Sequence, residues 1–267
     1  MFPGADAPRD DADYAIVGAP LDASTSFEPG ARFGPRRVRR YAEQFDDYDH
    51  RTDQHFSSLS VYDHGDVGPT ADTAEYLTFL RGACREFAGE DALPILVGGE
   101  HTVTVAGVRA LEPDVFVCLD AHLDLRESYA GDPLSHATVT RHALDVVDRA
   151  VILSARTGSE AEWDRAAESD VTVVPPAEVA EWEPDFAEDA DVYLSVDVDG
   201  FDPAYAPGTG TMEPFGLSPR EGRQVVEQVA PAATGFDVVE VNERDDGQAA
   251  VLAAKLLRAF VYEHADS

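Results

Sequence analysis

Residues 115–124 read VFVCLDAHLD. Five consecutive apolar residues are typical of a strand that is buried on both faces, as in a parallel sheet. The run ends in two aspartates and a histidine, spaced two residues apart. Side chains at i, i+2 and i+4 of an extended segment face the same way, so Asp120, His122 and Asp124 are predicted to converge on one point. The segment therefore predicts a parallel sheet with a polar site at the end of one strand.

Similar apolar runs recur along the chain and alternate with stretches of helical spacing. The runs that we interpret as strands are residues 14–18, 59–62, 93–97, 115–119, 151–154, 171–174, 192–198 and 235–241. The stretches that we interpret as helices are residues 35–45, 73–87, 102–111, 138–148, 160–168, 219–229 and 248–264. Pro35 and Pro219 suit a first helical turn, and Ser218 suits an N-cap. This alternation predicts an α/β fold, a three-layer α/β/α arrangement with a mostly parallel eight-stranded sheet. No repeat or low-complexity linker interrupts it, so residues 1–267 are expected to form a single domain.

Charge restricts the class of partner. The chain has 20 basic and 52 acidic residues, a formal net charge of −32. So acidic a chain repels nucleic acid and anionic membrane surfaces, and we expect neither as a partner. No apolar run is long enough to span a bilayer. The first thirteen residues lack the positive start and apolar core of a signal peptide, so a cytoplasmic location is expected.

The simplest interpretation of the acidity is a solvated surface. A second hypothesis is halophilic adaptation, in which salt screens the self-repulsion of the acidic groups. The melting temperature would then rise with KCl concentration, and a flat or falling curve would contradict this hypothesis. The two cysteines, Cys84 and Cys118, form no CxxC pair and are interpreted as small buried hydrophobes.

Three other predicted strands also end in polar residues. They are followed by GGEHT at 98–102, by DVDGFDP at 197–203 and by EVN at 240–242. Ligands of open α/β sheets bind at the carboxyl ends of the strands, so these segments are expected to meet there. Each segment alone is weak evidence, since a DxD spacing arises easily in so Asp-rich a chain. Their coincidence at the ends of apolar runs favours one shared site.

The combined residues predict a metal centre. They supply four carboxylates and two imidazoles, namely His101, Asp120, His122, Asp124, Asp197 and Asp199. This set has too many carboxylates for structural zinc and more imidazole than calcium or magnesium usually receives. Mn²⁺ suits the mixture best, and Fe²⁺, Co²⁺ or Zn²⁺ are less favoured. Six ligands exceed the needs of one ion, so two ions that share bridging carboxylates are expected.

These segments resemble the signatures of a known family, the ureohydrolases, which include the arginases and agmatinases. The matching stretches are GGEHT at 98–102, DAHLD at 120–124 and SVDVDGFDP at 195–203. Residues 18–22 (GAPLD), 30–35 (GARFGP), 124–126 (DLR) and 135–138 (SHAT) are similar to the agmatinase branch more than to the arginase branch. The resemblance covers nearly the whole chain and implies an arginase-like fold.

The resemblance also implies roles for individual residues. One manganese ion would be held by His101, Asp120, Asp124 and Asp197, and the other by His122, Asp120, Asp197 and Asp199, which makes Asp120 and Asp197 the bridges. Asp124 would also orient the attacking hydroxide, His136 would move a proton near the leaving amine, and Glu240 would hold the substrate guanidinium. The chain departs from the family pattern at Thr102, where serine is usual, and at Glu243, where proline is usual.

The implied activity is hydrolysis of a small guanidino compound, with agmatine giving putrescine and urea as the first expectation. Aminopropylagmatine, guanidinobutyrate, arginine and formiminoglutamate stay open as substrates. The resemblance also implies a homotrimer or homohexamer. Two alternatives from other classes are a two-metal phosphoesterase and a catalytically inactive binding relative. Against a phosphoesterase, no Gly-rich phosphate cradle accompanies the metal segments in the sequence. Against an inactive relative, all six ligand positions are filled.

Overall fold

A parallel sheet of eight strands organises the protein, whose computed structural model describes residues 1–187 and 189–267. The described residues form ten strands, of which β2 and β3 make a separate pair and the other eight make this sheet. The strands are β1 (Tyr14–Ala19), β2 (Tyr48–Asp49), β3 (Gln54–His55), β4 (Val61–Asp66), β5 (Leu93–Gly98), β6 (Val115–Leu119), β7 (Arg149–Leu153), β8 (Val171–Val174), β9 (Val192–Asp197) and β10 (Ala233–Val239). The sheet has the order β4-β1-β5-β10-β9-β6-β7-β8, and every neighbouring pair is parallel. The predicted eight-stranded parallel sheet is confirmed.

Helices cover both faces of the sheet. They are α1 (Gly34–Ala42), α2 (Thr73–Gly89), α3 (Thr104–Leu111), α4 (Val139–Ala143), α5 (Glu160–Ala166), α6 (Pro219–Val229) and α7 (Gln248–Ala265). One core contains α1, α6 and α7 with alternate strand residues such as Val117, and the other contains α2, α3 and α4 with the intervening ones such as Phe116. Side chains of successive strand residues point to opposite faces, so strands buried on both faces must be apolar throughout. This confirms the three-layer α/β/α arrangement.

Helix α6 shows how local sequence sets an element's start. Ser218 is its N-cap and accepts a hydrogen bond from the backbone N–H of Glu221, while the Glu221 carboxylate accepts one from the N–H of Ser218. This reciprocal capping satisfies two donors that the first helical turn leaves unpaired. Pro219 occupies the first turn, where its missing N–H costs nothing.

Some predicted boundaries differ from the structure. The strand predicted at 59–62 lies at Val61–Asp66, and its second half is polar because β4 is an edge strand of the eight-stranded sheet. On its outer side, Tyr62 forms an isolated bridge with Asp6. The helix predicted at 138–148 is shorter, since α4 ends at Ala143 and tight turns follow. The predicted helix at 102–111 begins as a separate 3₁₀ turn, His101–Val103. The sequence prediction also missed the small antiparallel pair of β2 and β3.

The helices formed by the described residues are too short or too polar to cross a bilayer.

Candidate active site

The four polar segments follow four neighbouring strands at the middle of the sheet. Strands β5, β10, β9 and β6 are adjacent in that order, and their carboxyl ends lie at the same edge. His101 follows β5, Glu240 follows β10, Asp197 ends β9, and Asp120 follows β6. The parallel topology therefore brings residues that are distant in sequence into one cluster, as the sequence predicted.

His101 faces three carboxylates. Its Nδ1 lies 3.1 Å from Asp120 Oδ2, 3.0 Å from Asp124 Oδ2 and 3.6 Å from Asp197 Oδ2. The ring is 1% exposed, and Nδ1 has no hydrogen-bond partner of acceptable geometry among the described residues. A buried ring nitrogen without such a partner, surrounded by carboxylate oxygens, suits a cation at the centre of the group.

His122 forms the second half of the cluster. Its Nδ1 lies 3.0 Å from Asp199 Oδ2 and 3.4 Å from Asp120 Oδ1. Asp120 thus directs one oxygen towards each histidine, which is the arrangement a bridging carboxylate requires. Asp120, His122 and Asp199 also offer ligand atoms within 4.8 Å of one another. The donors of the cluster therefore fit two divalent ions better than one.

Cys118 lies beside His101 and Asp120 without suiting a ligand role. Its Sγ is 3.7 Å from His101 Nε2, the ring nitrogen opposite to the one that faces the carboxylates. Burial raises the pKa of the Cys118 thiol well above its usual value. A neutral thiol is a poor metal ligand, which agrees with the predicted role of Cys118 as a small buried hydrophobe.

Backbone N–H groups hold the carboxylates in place. Asp199 accepts a hydrogen bond from Ala121 N at 3.1 Å, and Asp197 accepts one from Asp199 N at 2.8 Å. Asp124 and Glu240 have positive φ angles of 52° and 61°, a conformation that costs energy for residues other than glycine. The surrounding structure keeps this strain at two residues that line the cavity.

A buried hydrogen-bond chain supports His101 from behind. Ser195 Oγ lies 3.1 Å from His101 Nε2 and donates to Asp237 Oδ1 at 2.6 Å, while the Tyr193 hydroxyl donates to Asp237 Oδ2 at 2.9 Å. Because Ser195 gives its own proton to Asp237, it accepts one from His101 Nε2. This leaves a lone pair on Nδ1 that can bind a metal. A hydrogen bond from the opposite ring nitrogen is common for histidines that ligate metals.

Crowding perturbs the carboxylates while no cation is bound. Burial, and then the charge of Asp120, raise the pKa of Asp124 to about 7. Burial and the nearby charge of Glu100 raise the pKa of Glu240 to about 8. The pKa of Asp197 is raised as well, by burial and by neighbouring carboxylates. These carboxylates thus bind protons near neutral pH unless a metal cation replaces the protons.

The metal-free protein is therefore expected to lose stability as pH rises from 5.5 to 8.5. Asp124 and Glu240 titrate near pH 4 when unfolded, so raising the pH through their folded pKa values of about 7 and 8 favours unfolding. His122 acts in the same direction, because Asp199 and Asp120 raise its pKa although burial opposes them. A divalent ion should raise the melting temperature more at pH 8.5 than at pH 5.5, since protons compete with it at low pH.

Thermal melts with and without Mn²⁺ across this pH range measure the effect, and an Asp124→Asn variant should reduce the pH slope. A metal-free melting temperature that rises with pH would contradict this description of the cluster.

A cavity of about 320 Å³ opens above the cluster. Its walls include His136, Glu240, Arg126, Tyr129 and Glu162. The Glu240 Oε1 atom accepts a hydrogen bond from His101 N at 2.9 Å, which anchors this carboxylate beside the cluster. The Arg126 guanidinium pairs with Glu162 at 3.0 Å and lies over the Tyr129 ring, 5.4 Å from its centroid. The cavity thus has room for a small cationic molecule with one end at the cluster.

The structure brings together all the residues predicted for the site. His101, Asp120, His122, Asp124, Asp197 and Asp199 form the cluster, and His136 and Glu240 line the same cavity. Glu162 and the supporting Asp237 were not predicted from the sequence. A charged residue in the middle of an apolar strand was the available signal for Asp237, whereas the capping-box spacing of Ser159 and Glu162 indicates only the start of a helix.

Comparisons with known proteins show which family the chain resembles in sequence and fold. A model of the arginase family matches residues 12–262. An agmatinase from Pyrococcus horikoshii is 36% identical over 262 residues, covering 92% of this chain and 90% of that protein. An N(1)-aminopropylagmatine ureohydrolase from Thermococcus kodakarensis is 35% identical over 260 residues, covering 91% and 88%. The crystal structure of the agmatine ureohydrolase of Thermoplasma volcanium superposes with a TM-score of 0.94 at 31% identity, covering 98% of this chain and 93% of that one.

Proposed function

The chain belongs to the arginase family, and from this premise we propose that it hydrolyses agmatine to putrescine and urea. The observation that carries the proposal is the position of Glu240, a buried carboxylate in the same cavity as the six-residue cluster. A guanidinium bound to Glu240 would lie beside the cluster, where water can attack its carbon.

We propose that two Mn²⁺ ions occupy the cluster. His101, Asp120, Asp124 and Asp197 would hold one ion, and His122, Asp120, Asp197 and Asp199 the other. When bound, the two ions supply the Lewis acidity that makes water nucleophilic at neutral pH. The mixture of carboxylates and imidazoles is the reason for naming manganese.

The protein's own groups bind, orient and move protons. Glu240 binds the guanidinium through a charge-assisted hydrogen bond in a site shielded from water, where such bonds are strong. Asp124 accepts a hydrogen bond from the attacking water and orients it towards the guanidinium carbon. His136 takes the proton that this water loses and passes it to the nitrogen of the leaving amine as the carbon–nitrogen bond breaks. The remaining hydroxyl proton moves to the departing amine as the carbonyl of urea forms, so the products are urea and the protonated amine.

The charges along the cavity favour a substrate without a carboxylate. Among the lining residues in the described part of the chain, Arg126 is the one arginine, and it already pairs with Glu162. The carboxylate of arginine or guanidinobutyrate would have to compete with Glu162 for this guanidinium. Agmatine carries a second cation instead, which also suits a chain of net charge −32. Aminopropylagmatine has the same character and is the strongest rival.

A substrate panel tests this choice. We expect kcat/KM for agmatine or aminopropylagmatine to exceed that for arginine, guanidinobutyrate and formiminoglutamate by about 100-fold, which is roughly 2.7 kcal/mol of transition-state binding. Product formation should be followed separately for each compound at saturating Mn²⁺. A preference for arginine or guanidinobutyrate would contradict the assignment of substrate. Phosphate release from a generic phosphoester without urea release would favour the phosphoesterase alternative.

A further inference from the structure

Glu100 is a fully buried carboxylate that none of the steps above uses. It accepts hydrogen bonds from Ser24 Oγ at 2.7 Å, from Ser24 N at 2.8 Å and from Thr102 Oγ1 at 2.6 Å. The bonds that it receives come from N–H and O–H donors, the pattern of an ionised carboxylate.

The approach of two loops places Glu100 beside Ser24. Glu100 N donates to Leu21 O at 2.7 Å, and Gly99 N donates to Ala19 O at 2.7 Å. A Cβ atom on Gly99 would lie 1.9 Å from the carbonyl oxygen of Leu21, so only glycine permits this contact. The glycine before Glu100 thus joins the loop after β5 to the loop after β1.

Ser24 connects Glu100 to His136. Its Oγ lies 3.1 Å from His136 Nδ1 and also accepts a hydrogen bond from His136 N at 3.0 Å. The hydroxyl has one proton, which it donates to Glu100, so its contact with Nδ1 requires a proton on the histidine nitrogen. On the other side of the ring, Nε2 lies 3.1 Å from the hydroxyl of Ser26, which lines the cavity.

We propose that Glu100 is a positioning residue that acts through Ser24 to keep the proton of neutral His136 on Nδ1. The Nε2 lone pair is then available on the cavity side to take and release a proton. When His136 becomes cationic during the reaction, the negative charge of Glu100 stabilises it across the Ser24 hydroxyl. The expected effect on kcat rests on the proposed function, whereas the position of the ring proton does not.

Two observations agree with a defined tautomer. Burial, and then the charges of His122 and His101, lower the pKa of His136 to about 4, so the ring is neutral at pH 7. Ser135 Oγ is the other hydroxyl near Nδ1, at the longer distance of 3.3 Å. If Ser24 were removed, Ser135 could donate to Nδ1 and move the ring proton to Nε2.

The ¹⁵N chemical shifts of the histidine ring test the tautomer directly. The sample is the protein with labelled histidine rings, loaded with diamagnetic Zn²⁺ at pH 7.5, and a His136→Asn spectrum assigns the signals. We expect a protonated Nδ1 and an unprotonated Nε2 in the wild type, and loss of this single tautomer in Ser24→Ala. Thr102→Val is the matched control, because it removes the other hydroxyl from the same Glu100 oxygen without touching His136. It should leave the tautomer unchanged.

Kinetics and bound metal complete the test. Ser24→Ala and Glu100→Gln should lower kcat about 10- to 100-fold with little change in KM, as is typical when the partner of a working histidine is lost. Ser24→Thr, which keeps the hydroxyl, should restore most of kcat, and metal content should stay at the wild-type level. A wild-type ring protonated on Nε2, or an unchanged tautomer in Ser24→Ala, would overturn the proposal. Absence of urea release in the wild type, with the expected tautomer present, would instead count against the proposed function.

Discussion

Replacement of Asp120 by alanine is expected to abolish activity, with a loss in kcat/KM of at least about 1000-fold, or roughly 4 kcal/mol. Asp120 directs Oδ2 towards His101 and Oδ1 towards His122, so its removal weakens both halves of the cluster at once. It also leaves the two histidines without the carboxylate that they share. Stoichiometry of bound Mn²⁺ should fall together with activity, because the same side chain would serve both ions.

Metal content and urea release should be measured side by side for this variant. Glu127→Ala is the matched control, since Glu127 follows Asp124 by three residues and has an 86% exposed side chain that pairs only weakly with Arg141. The control should keep nearly full activity and metal content. Near-normal turnover in Asp120→Ala would contradict the assignment of the cluster as a shared two-ion centre.

Replacement of Glu240 by glutamine should reduce kcat/KM about 30- to 5000-fold while leaving the metal in place. The amide oxygen can still accept the hydrogen bond from His101 N, so the local fold should persist. What is lost is the negative charge that meets the substrate guanidinium in a buried site. Loss of one partner from a buried charge pair typically costs about 2–5 kcal/mol.

The control for this variant is Glu243→Gln, three residues further along the chain and exposed. It makes the same chemical change outside the cavity and should have little effect. Bound metal and the melting temperature should match the wild type in both variants. Loss of activity in Glu240→Gln accompanied by loss of metal would show that Glu240 supports the cluster and does not bind substrate.

The middle of the fold could be predicted because its strands are buried on both faces. The predicted strand at 115–119 and the predicted helix at 219–229 coincide with β6 and α6. Continuous apolarity defines such strands, and Ser218 with Pro219 defines the start of that helix. The edge strand β4 was misplaced because it carries Asp63, His64 and Asp66, which an apolar pattern leaves out.

The candidate ligands could be predicted for a related reason. Polar residues directly after apolar runs are conspicuous, and parallel topology brings the ends of such runs together. Ser24 and Glu162 lie in contexts without this contrast, so only their contacts in the folded chain associate them with the site. Glu100 lies in the GGEHT segment at 98–102, yet its proposed role depends on a contact between two loops that no spacing in the sequence indicates.

The most direct test of the account is urea release from agmatine by purified protein that is first stripped of metal and then supplied with Mn²⁺. The assay should be run at low and at molar KCl, with putrescine measured in the same samples and a generic phosphoester as the comparison substrate. We expect equal amounts of urea and putrescine in the metal-loaded samples, neither product in the stripped ones, and no phosphate. Absence of urea from every guanidino compound, with metal shown to be bound to the folded protein, would contradict the account.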